Sequence, residues 1–255
     1  NKELFERTFP ADFVAEGIDQ TRGWFYTLLV LSTAIFNKPP FKNLVVNGLV
    51  LASDGQKMSK RKQNYPDPLD MVKKFGADCI RCYLINSPVV CGENLRFSEN
   101  GLLDLTKEFL LPWFNAFRFL LQYISVYEKS SKTLFAYDES QTNNVESLLD
   151  LDKWMLSYTQ SFLLKYHFEM KSYRLFNLIP NLKDFIETLT KWYIRLNRPH
   201  LRGDFSADSQ FMSLNVLFHC VLQFTYAVAP VCPFLAEHYY QHLKIYFHEP
   251  HVNDF

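Results

Sequence analysis

Apolar positions fall in short blocks along the first hundred residues and in long helical stripes after that. Phe13-Val14-Ala15-Glu16-Gly17 reads as a short strand ending at a glycine, and Asp19 stands where a helix N-cap belongs. Over 20–36 apolar residues crowd most faces, as in a helix packed on a sheet, until Asn37-Lys38-Pro39-Pro40 stops it. Residues 43–51 are rich in β-branched and apolar side chains, the pattern of a strand buried on both faces. Strand, helix and strand in this order predict a βαβ unit with parallel pairing. Asp67-Pro68 opens a further helix, Asp at N-cap and Pro at N1, that runs to Gly76. A helix over 78–86 follows and is stopped by Ser87-Pro88.

Beyond residue 102 the strand signals vanish. Apolar residues at i, i+3 and i+4 predict helices over 103–127, 151–168, 173–197 and 209–247. The polar stretch 129–145, rich in Ser, Asn and Thr, is the linker candidate. The expected fold class is α/β followed by all-α: a fragmentary α/β unit over 1–102, then a helical bundle over 103–255.

Composition narrows the function classes. Hydrophobic residues make up 48% and charged residues 21% of the 255, which fits a folded globular chain rather than a disordered one. With 27 basic and 27 acidic residues the net charge is zero, so any nucleic-acid binding must be regional. Five cysteines without regular spacing point to a reducing compartment. Nothing at the N-terminus resembles a signal peptide. The longest apolar run is read as 24–36, shorter than the ~20 residues that span a bilayer. A soluble cytoplasmic protein without a membrane partner is therefore expected. Because it opens on Asn1, a piece of a longer one is also expected.

Two segments carry the candidate chemistry. In Glu16-Gly17-Ile18-Asp19-Gln20-Thr21-Arg22-Gly23-Trp24-Phe25, two carboxylates and an amide bunch at a strand-to-helix corner. They suit hydroxyls or an ammonium group, and Trp24 offers a flat apolar wall. The plainer reading is a well-capped helix with a core Trp. In Lys57-Met58-Ser59-Lys60-Arg61-Lys62, cations follow the turn Ser53-Asp54-Gly55 at the carboxyl end of the second strand. That is the edge where open α/β sheets hold ligands. Placed lysines stabilise charge that builds on departing phosphates. The plainer reading is a solvated loop or a localisation patch. No G-x-x-x-x-G-K-[ST] occurs, so a P-loop is excluded.

Taken together, E-G-x-D-Q-T-R-G-W-F, K-M-S-K-R and N-Y-P-D-P in this order resemble the class I aminoacyl-tRNA synthetases, in the isoleucyl, eukaryotic cytosolic type. G-A-D-C-I-R-C-Y-L-I-N-S-P-V-V, N-L-R-F and W-Y-I-R-L-N-R continue the likeness along nearly the whole chain. The resemblance implies a partial Rossmann-type nucleotide-binding fold carrying the KMSKS-like loop, then an anticodon-binding bundle. It implies ATP with Mg2+ as substrate, L-isoleucine and isoleucine tRNA as further partners, and no structural metal. Glu16, Gly17 and Asp19 match positions that hold the adenylate, its ribose and its amino group, with Gln20 beside them. Trp24, with Gln20, matches the wall of the isoleucine pocket. Asn47, Gly48, Leu49 and Val50 match the backbone laid against adenine. Lys57 and Lys60 match the catalytic lysines, Lys60 as the main phosphate contact, with Met58 and Ser59 in the same loop.

Two departures matter. Arg61 keeps a cation where other members carry a hydroxyl. None of the seven histidines stands in an H-x-G-H pattern, and there is no room for an editing insertion, which one-methylene discrimination of ~1–3 kcal/mol makes necessary. The resemblance thus implies the second half of a catalytic domain, with the N-terminal half of the same enzyme as a missing partner and no isoleucine activation unaided. A valyl- or leucyl-tRNA synthetase fragment, or a non-catalytic tRNA-binding module, remains open.

The helical part offers its own surface. Lys191, Arg195, Arg198 and Arg202 are spaced 4, 3 and 4, one helix face, although Pro199 is a stop signal within it. Trp192 and Tyr193 lie alongside. Cations for phosphate with aromatics for stacking suit unpaired RNA bases, and the resemblance places anticodon binding here. An ordinary solvated face is the alternative. Cys79-Ile80-Arg81-Cys82 lacks a second pair at zinc spacing and reads as core packing. His238 with His242, and His248-Glu249-Pro250-His251, read as surface.

Overall fold

The protein is described by a computed structural model over residues 2–59, 61–143 and 145–247. Lys60 and the His248-Glu249-Pro250-His251 stretch lie outside the described residues.

A short helix α1 (Lys2–Thr8) leads into β1 (Ala11–Gly17), which pairs in parallel with β2 (Phe41–Asn47) through the crossover helix α2 (Trp24–Phe36). The expected βαβ unit is present. Its second strand differs from expectation, because 43–51 is two strands rather than one. Gly48 breaks the run, donating its amide to the Val89 carbonyl at 2.7 Å, and β3 (Val50–Leu51) turns away to a different partner. That partner is β4 (Leu95–Arg96), a parallel strand too short to leave a periodic signal in the sequence. Nor is β2 buried on both faces: Lys42, Asn43 and Leu44 are exposed. On α2 only Phe25 and Ser32 are buried, while Tyr26 and Ile35 are 62% and 66% exposed. The apolar pattern of this unit calls for more cover than the described residues supply.

Two helices follow as the sequence predicts. α3 (Pro68–Phe75) is capped by Asp67, whose Oδ1 accepts from the Leu69 amide at 2.7 Å, and ends at Gly76 with φ of 84°. α4 (Ala77–Ile85) stops at Asn86. Next, α5 (Glu99–Leu105), a π turn (Thr106–Leu110) and α6 (Leu111–Ser131) form one rod. Pro112 has no N–H to give and crowds the preceding turn, and the widened turn just ahead of it absorbs the misfit.

The stretch 129–145 is not a free linker. Phe135 and Tyr137 are 3% and 8% exposed. The Asn215 side chain holds the Asp138 backbone by two bonds, 3.0 Å from its amide and 2.8 Å from its carbonyl. The polar composition hid these two aromatic anchors. After α7 (Glu139–Asn143) the bundle is completed by α8 (Asp150–Lys171), α9 (Leu178–Glu187), a π turn (Thr188–Ile194), α10 (Arg198–Arg202), α11 (Ala207–Val228) and α12 (Pro233–Leu243). The single helix expected over 209–247 is therefore two, because Pro230 and Pro233 cannot extend it. The start expected at 173 moves to Leu178, after a 3-10 turn. α11 also outruns 24–36 as the longest apolar helix. At 22 residues and a mean hydropathy of 1.4 it could cross a membrane by length and composition, but 78% of that stretch is buried inside the protein. Burial all round explains an all-apolar helix without a bilayer.

Aromatic rings fill the core. Phe185 stacks on Phe224 at 5.1 Å and meets Phe162 in a tilted pair at 4.5 Å, and Trp113 meets Phe224 edge-on at 5.6 Å. The α/β part is joined to this core by α4. Cys79 and Cys82 are packed inside as expected, 1% and 0% exposed, with the Cys82 Sγ 2.9 Å from that of Cys232. One turn of α4 grips the elbow between α11 and α12. Asp78 Oδ2 accepts from the Leu235 amide at 2.7 Å, and Arg81 donates to the carbonyls of Val231 at 3.0 Å and Pro230 at 2.9 Å. An anion sits at the start of one helix and a cation at the end of the other, as the helix dipoles favour.

Asp78 thus serves as an N-cap supplied from 157 residues away. Asp78→Ala leaves the part-buried Phe234 and Leu235 amides at the start of α12 without their acceptor and is expected to lower stability by about 1–2 kcal/mol. Urea unfolding of the variant against the parent chain reads this directly.

Candidate active site and basic helical face

The register of β1 on β2 sets Glu16 beside Val46 and Gly17 beside Asn47 at the carboxyl edge of the pair. A 3-10 turn (Ile18–Arg22) separates β1 from α2, so Asp19 does not cap the helix as expected. The helix begins five residues later, and Gln20 caps it instead: its Oε1 accepts from the Trp24 amide at 2.9 Å. Asp19 folds back over Gly17, where an added Cβ would lie 2.7 Å from Oδ1. Gly23 is likewise covered by Gln20. Both glycines therefore admit side chains that any Cβ would displace. Glu16 and Asp19 are exposed, and their carboxylates take no hydrogen bond among the described residues. Trp24 presents its ring at 45% exposure.

The Asn47–Val50 segment is tied down by its neighbours. Gly48 and Leu49 both spend their amides internally, Leu49 on Asn94 Oδ1 at 3.2 Å. Past β3 the signature loop folds as a tight turn. The Gly55 amide reaches the Ala52 carbonyl at 2.8 Å with φ of 81°, and Leu51 bridges Lys57. Asn64, quoted in N-Y-P-D-P but given no role from the sequence, staples this loop. Its Oδ1 accepts from the Ser59 amide at 3.0 Å, and its Nδ2 donates to the Lys57 carbonyl at 3.3 Å. Lys62 is drawn off to Gln56 at 2.8 Å. The side chain of Lys57 stays exposed, with no partner among the described residues. Arg96, also missed, ends β4 with its guanidinium against Gly55. A cavity of about 230 Å³ opens beside the loop, with Ser53, Asn64 and Ser98 on its polar half and Met58, Pro66 and Phe97 on its apolar half. Among the described residues no three His, Cys, Asp or Glu side chains gather as a metal site.

The basic face is less regular than its spacing predicts. The π turn runs into a break at Asn197, and α10 restarts at Arg198, so 191–202 is not one continuous helix. Lys191, Arg195, Arg198 and Arg202 are all exposed, yet Lys191 pairs with Glu187 at 2.7 Å and Arg202 with Asp204 at 2.8 Å. Arg195 and Arg198 have no side-chain partner among the described residues. Trp192 is 59% exposed, whereas Tyr193 is buried. The Tyr193 hydroxyl donates to Asp152 at 2.6 Å, and Asn197 donates to the same oxygen at 3.0 Å. Burial pushes the Asp152 carboxyl above its ordinary range, and the Tyr193, Ser213 and Asn197 bonds oppose that. This buried trio holds the surface segment from beneath. Phe205, 67% exposed and stacked on His200 at 4.4 Å, extends the aromatic surface.

Two family descriptions match the two parts of the chain: tRNA synthetases class I (I, L, M and V) over residues 1–96, and the anticodon-binding domain of tRNA ligase over 152–253. The chain belongs to the class I tRNA synthetases. Within that family it is 52% identical over 245 residues to the cytoplasmic isoleucine–tRNA ligase of Mus musculus, covering 96% of the chain and 19% of the relative. The Caenorhabditis elegans cytoplasmic isoleucine–tRNA ligase is 53% identical over 244 residues, 96% and 21%. The chain spans about a fifth of the length of these curated relatives. The fold is also that of Mycobacterium tuberculosis methionyl-tRNA synthetase bound by methionyl-adenylate. The TM-score is 0.72 at 19% identity, over 93% of this chain and 45% of that one.

In this class I synthetase chain, the position least tolerant of change at the sheet edge is Gly48. A Cβ there would collide with the backbone of Glu93, which belongs to a turn and cannot rotate away as a side chain can. Gly48→Ala is expected to cost about 2 kcal/mol or more. Thermal unfolding monitors the loss, and an unchanged midpoint would show that the 89–94 turn yields.

Proposed function

We propose that this chain supplies the signature-loop half of the catalytic site and the anticodon-binding region of an isoleucine–tRNA ligase. Residues 1–102 are the catalytic part and 103–255 the anticodon-binding part. In the reaction, a carboxylate oxygen of L-isoleucine attacks the α-phosphorus of Mg2+-bound ATP, and pyrophosphate leaves. A terminal ribose hydroxyl of isoleucine tRNA then attacks the adenylate carbonyl, and AMP leaves. The observation that carries this reading is the shared edge. Glu16 and Gly17 end one strand beside Asn47 of the next, and the chain from Asn47 passes directly into the cationic loop.

On this reading Glu16, Gly17 and Asp19 hold the ribose and amino group of the adenylate. Gln20 and Trp24 bound the isoleucine side chain, Gln20 through its cap on the Trp24 amide. Asn47, Gly48, Leu49 and Val50 lie against adenine, with the Gly48 and Leu49 amides fixing the backbone shape rather than reading the base. Lys57 and Lys60 neutralise charge on the departing pyrophosphate, and Met58 and Ser59 shape the loop between them. Lysine suits this work because its charge sits on a flexible stem. The sequence holds no H-x-G-H, so the activity is assigned to this region together with the N-terminal half of a catalytic domain. The relatives' names support a cytoplasmic location.

Lys60→Ala in the complete ligase is expected to lower isoleucine-dependent ATP–pyrophosphate exchange by about 10²–10³-fold, as for removal of one preorganised donor to developing charge. Unchanged exchange would remove Lys60 from the mechanism.

For tRNA, Trp192 offers a stacking face, and Arg195 and Arg198 supply unpaired cations. Lys191 and Arg202 already have acidic partners and contribute less. The 255-residue chain is expected to prefer isoleucine tRNA over a non-cognate tRNA across a salt series. Replacing Arg195 and Arg198 together by Ala should flatten the salt slope by about 1–2. Equal binding of both tRNAs would place recognition outside this chain.

A further inference from the structure

The geometry points to a second ligand site behind the signature loop, an apolar cavity that takes a neutral one- or two-ring aromatic molecule. It has a volume of about 210 Å³ and adjoins the more polar cavity beside Ser53 and Asn64, sharing Met58, Pro66 and Phe97 with it. Its floor comes from α3 and α4 through Met71 and Ile80, its rim from the partly exposed Val72, and its walls from Met58 and Pro66 of the loop and from Phe97 after β4. All its lining side chains are apolar or aromatic.

The size and chemistry fix the ligand class. An enclosed apolar cavity of roughly 150 Å³ admits benzene, and this half-open one of about 210 Å³ has room for a fused two-ring aromatic. A charged or strongly polar ligand would lose its hydration here without a hydrogen-bonding wall in return. Two flexible methionines in the lining adapt to ring edges, and thioether–aromatic contacts are favourable.

The cavity also has leverage on the loop. Met58, Pro66 and Phe97 line both this cavity and the polar one, so Met58 is the partition between them. A ring seated in the apolar cavity fixes Met58 between Lys57 and Ser59. A ligand that binds one loop arrangement better than another shifts the loop by that difference. The leverage on catalysis, unlike the binding itself, rests on the proposed function.

Indole is the probe. The 255-residue chain has five methionines, and 13C-methyl labelling places reporters at Met58 and Met71 in the cavity and at Met155, Met170 and Met212 outside it. Saturable shifts confined to Met58 and Met71 are expected, with a Kd of about 1 mM, which is what nine well-packed atoms afford. Val72→Phe at the rim and, separately, Ile80→Trp in the floor should weaken binding by about tenfold or more by filling the space. Equal shifts at all five methyls, no saturation, or full binding by both filled variants would overturn the site. In the complete ligase, saturating indole should slow ATP–pyrophosphate exchange several-fold in the parent and not in Val72→Phe. Exchange unaffected by indole would overturn the leverage. A parent without exchange would instead count against the proposed function, leaving the binding result to stand by itself.

Discussion

The α/β edge and the signature loop are fastened to the bundle through one short helix. α4 is nine residues long, and three of them, Asp78, Arg81 and Cys82, grip the α11–α12 elbow. The grip works because a helix start and a helix end meet at that elbow with unpaired amides and carbonyls. A carboxylate and a guanidinium one turn apart answer each in kind. The strands bury little of their own surface, so the bundle's aromatic core is the rigid body and α4 is what fastens the α/β edge to it. The signature loop exits into α3, and α3 runs straight into α4. Its position is therefore referred to the bundle rather than to the two-stranded sheets.

That attachment explains how a loop rich in like charge holds a shape. Lys57, Arg61 and Lys62 repel one another, and among the described residues none of them is paired with an acidic side chain. Order comes instead from neutral groups. Asn64 ties the Ser59 amide to the Lys57 carbonyl, Gln56 draws Lys62 aside, and Met58 settles on apolar ground beneath. Neutral ties leave the cationic charge uncompensated, which suits the phosphate contact proposed for this loop. A paired lysine would have to break its bridge first.

Much of this was legible in the sequence, for identifiable reasons. Asp67-Pro68 and Gly76 bounded α3 because cap chemistry is local. The βαβ unit followed from strand and helix periods, and the two ordered motifs gave the family. What was not legible is non-local. Gly48 splits a strand because it must pass the 89–94 turn, which no window around residue 48 contains. Asp19 looked like the cap, but a 3-10 turn moved the helix start and gave the cap to Gln20. Phe135 and Tyr137 were lost in a polar stretch, since two anchors among the seventeen residues of 129–145 leave no period. One omission is local: Lys191 and Arg202 matched a stripe by spacing, but Glu187, four residues before the first, and Asp204, two after the second, pair with them and decide what they can bind.

The same non-locality bears on why the helical surface is built as it is. An exposed Trp and two free arginines are costly to hold in register on a solvated helix, since long side chains lose rotamer freedom when fixed. The chain solves this from the inside. Tyr193 and Asn197 reach the buried Asp152 from the inner side of the π turn, which sets the outer side where Trp192 and Arg195 stand. The charge of Asp152 is unwelcome in that core, and the three hydrogen bonds it accepts are what make it tolerable. A buried polar network of this kind adds little net stability, but it admits one rotation of the helix and excludes the others. For the tRNA contact proposed for this surface, a fixed rotation is worth more than a deeper well, because recognition depends on where the ring and the two cations stand relative to one another.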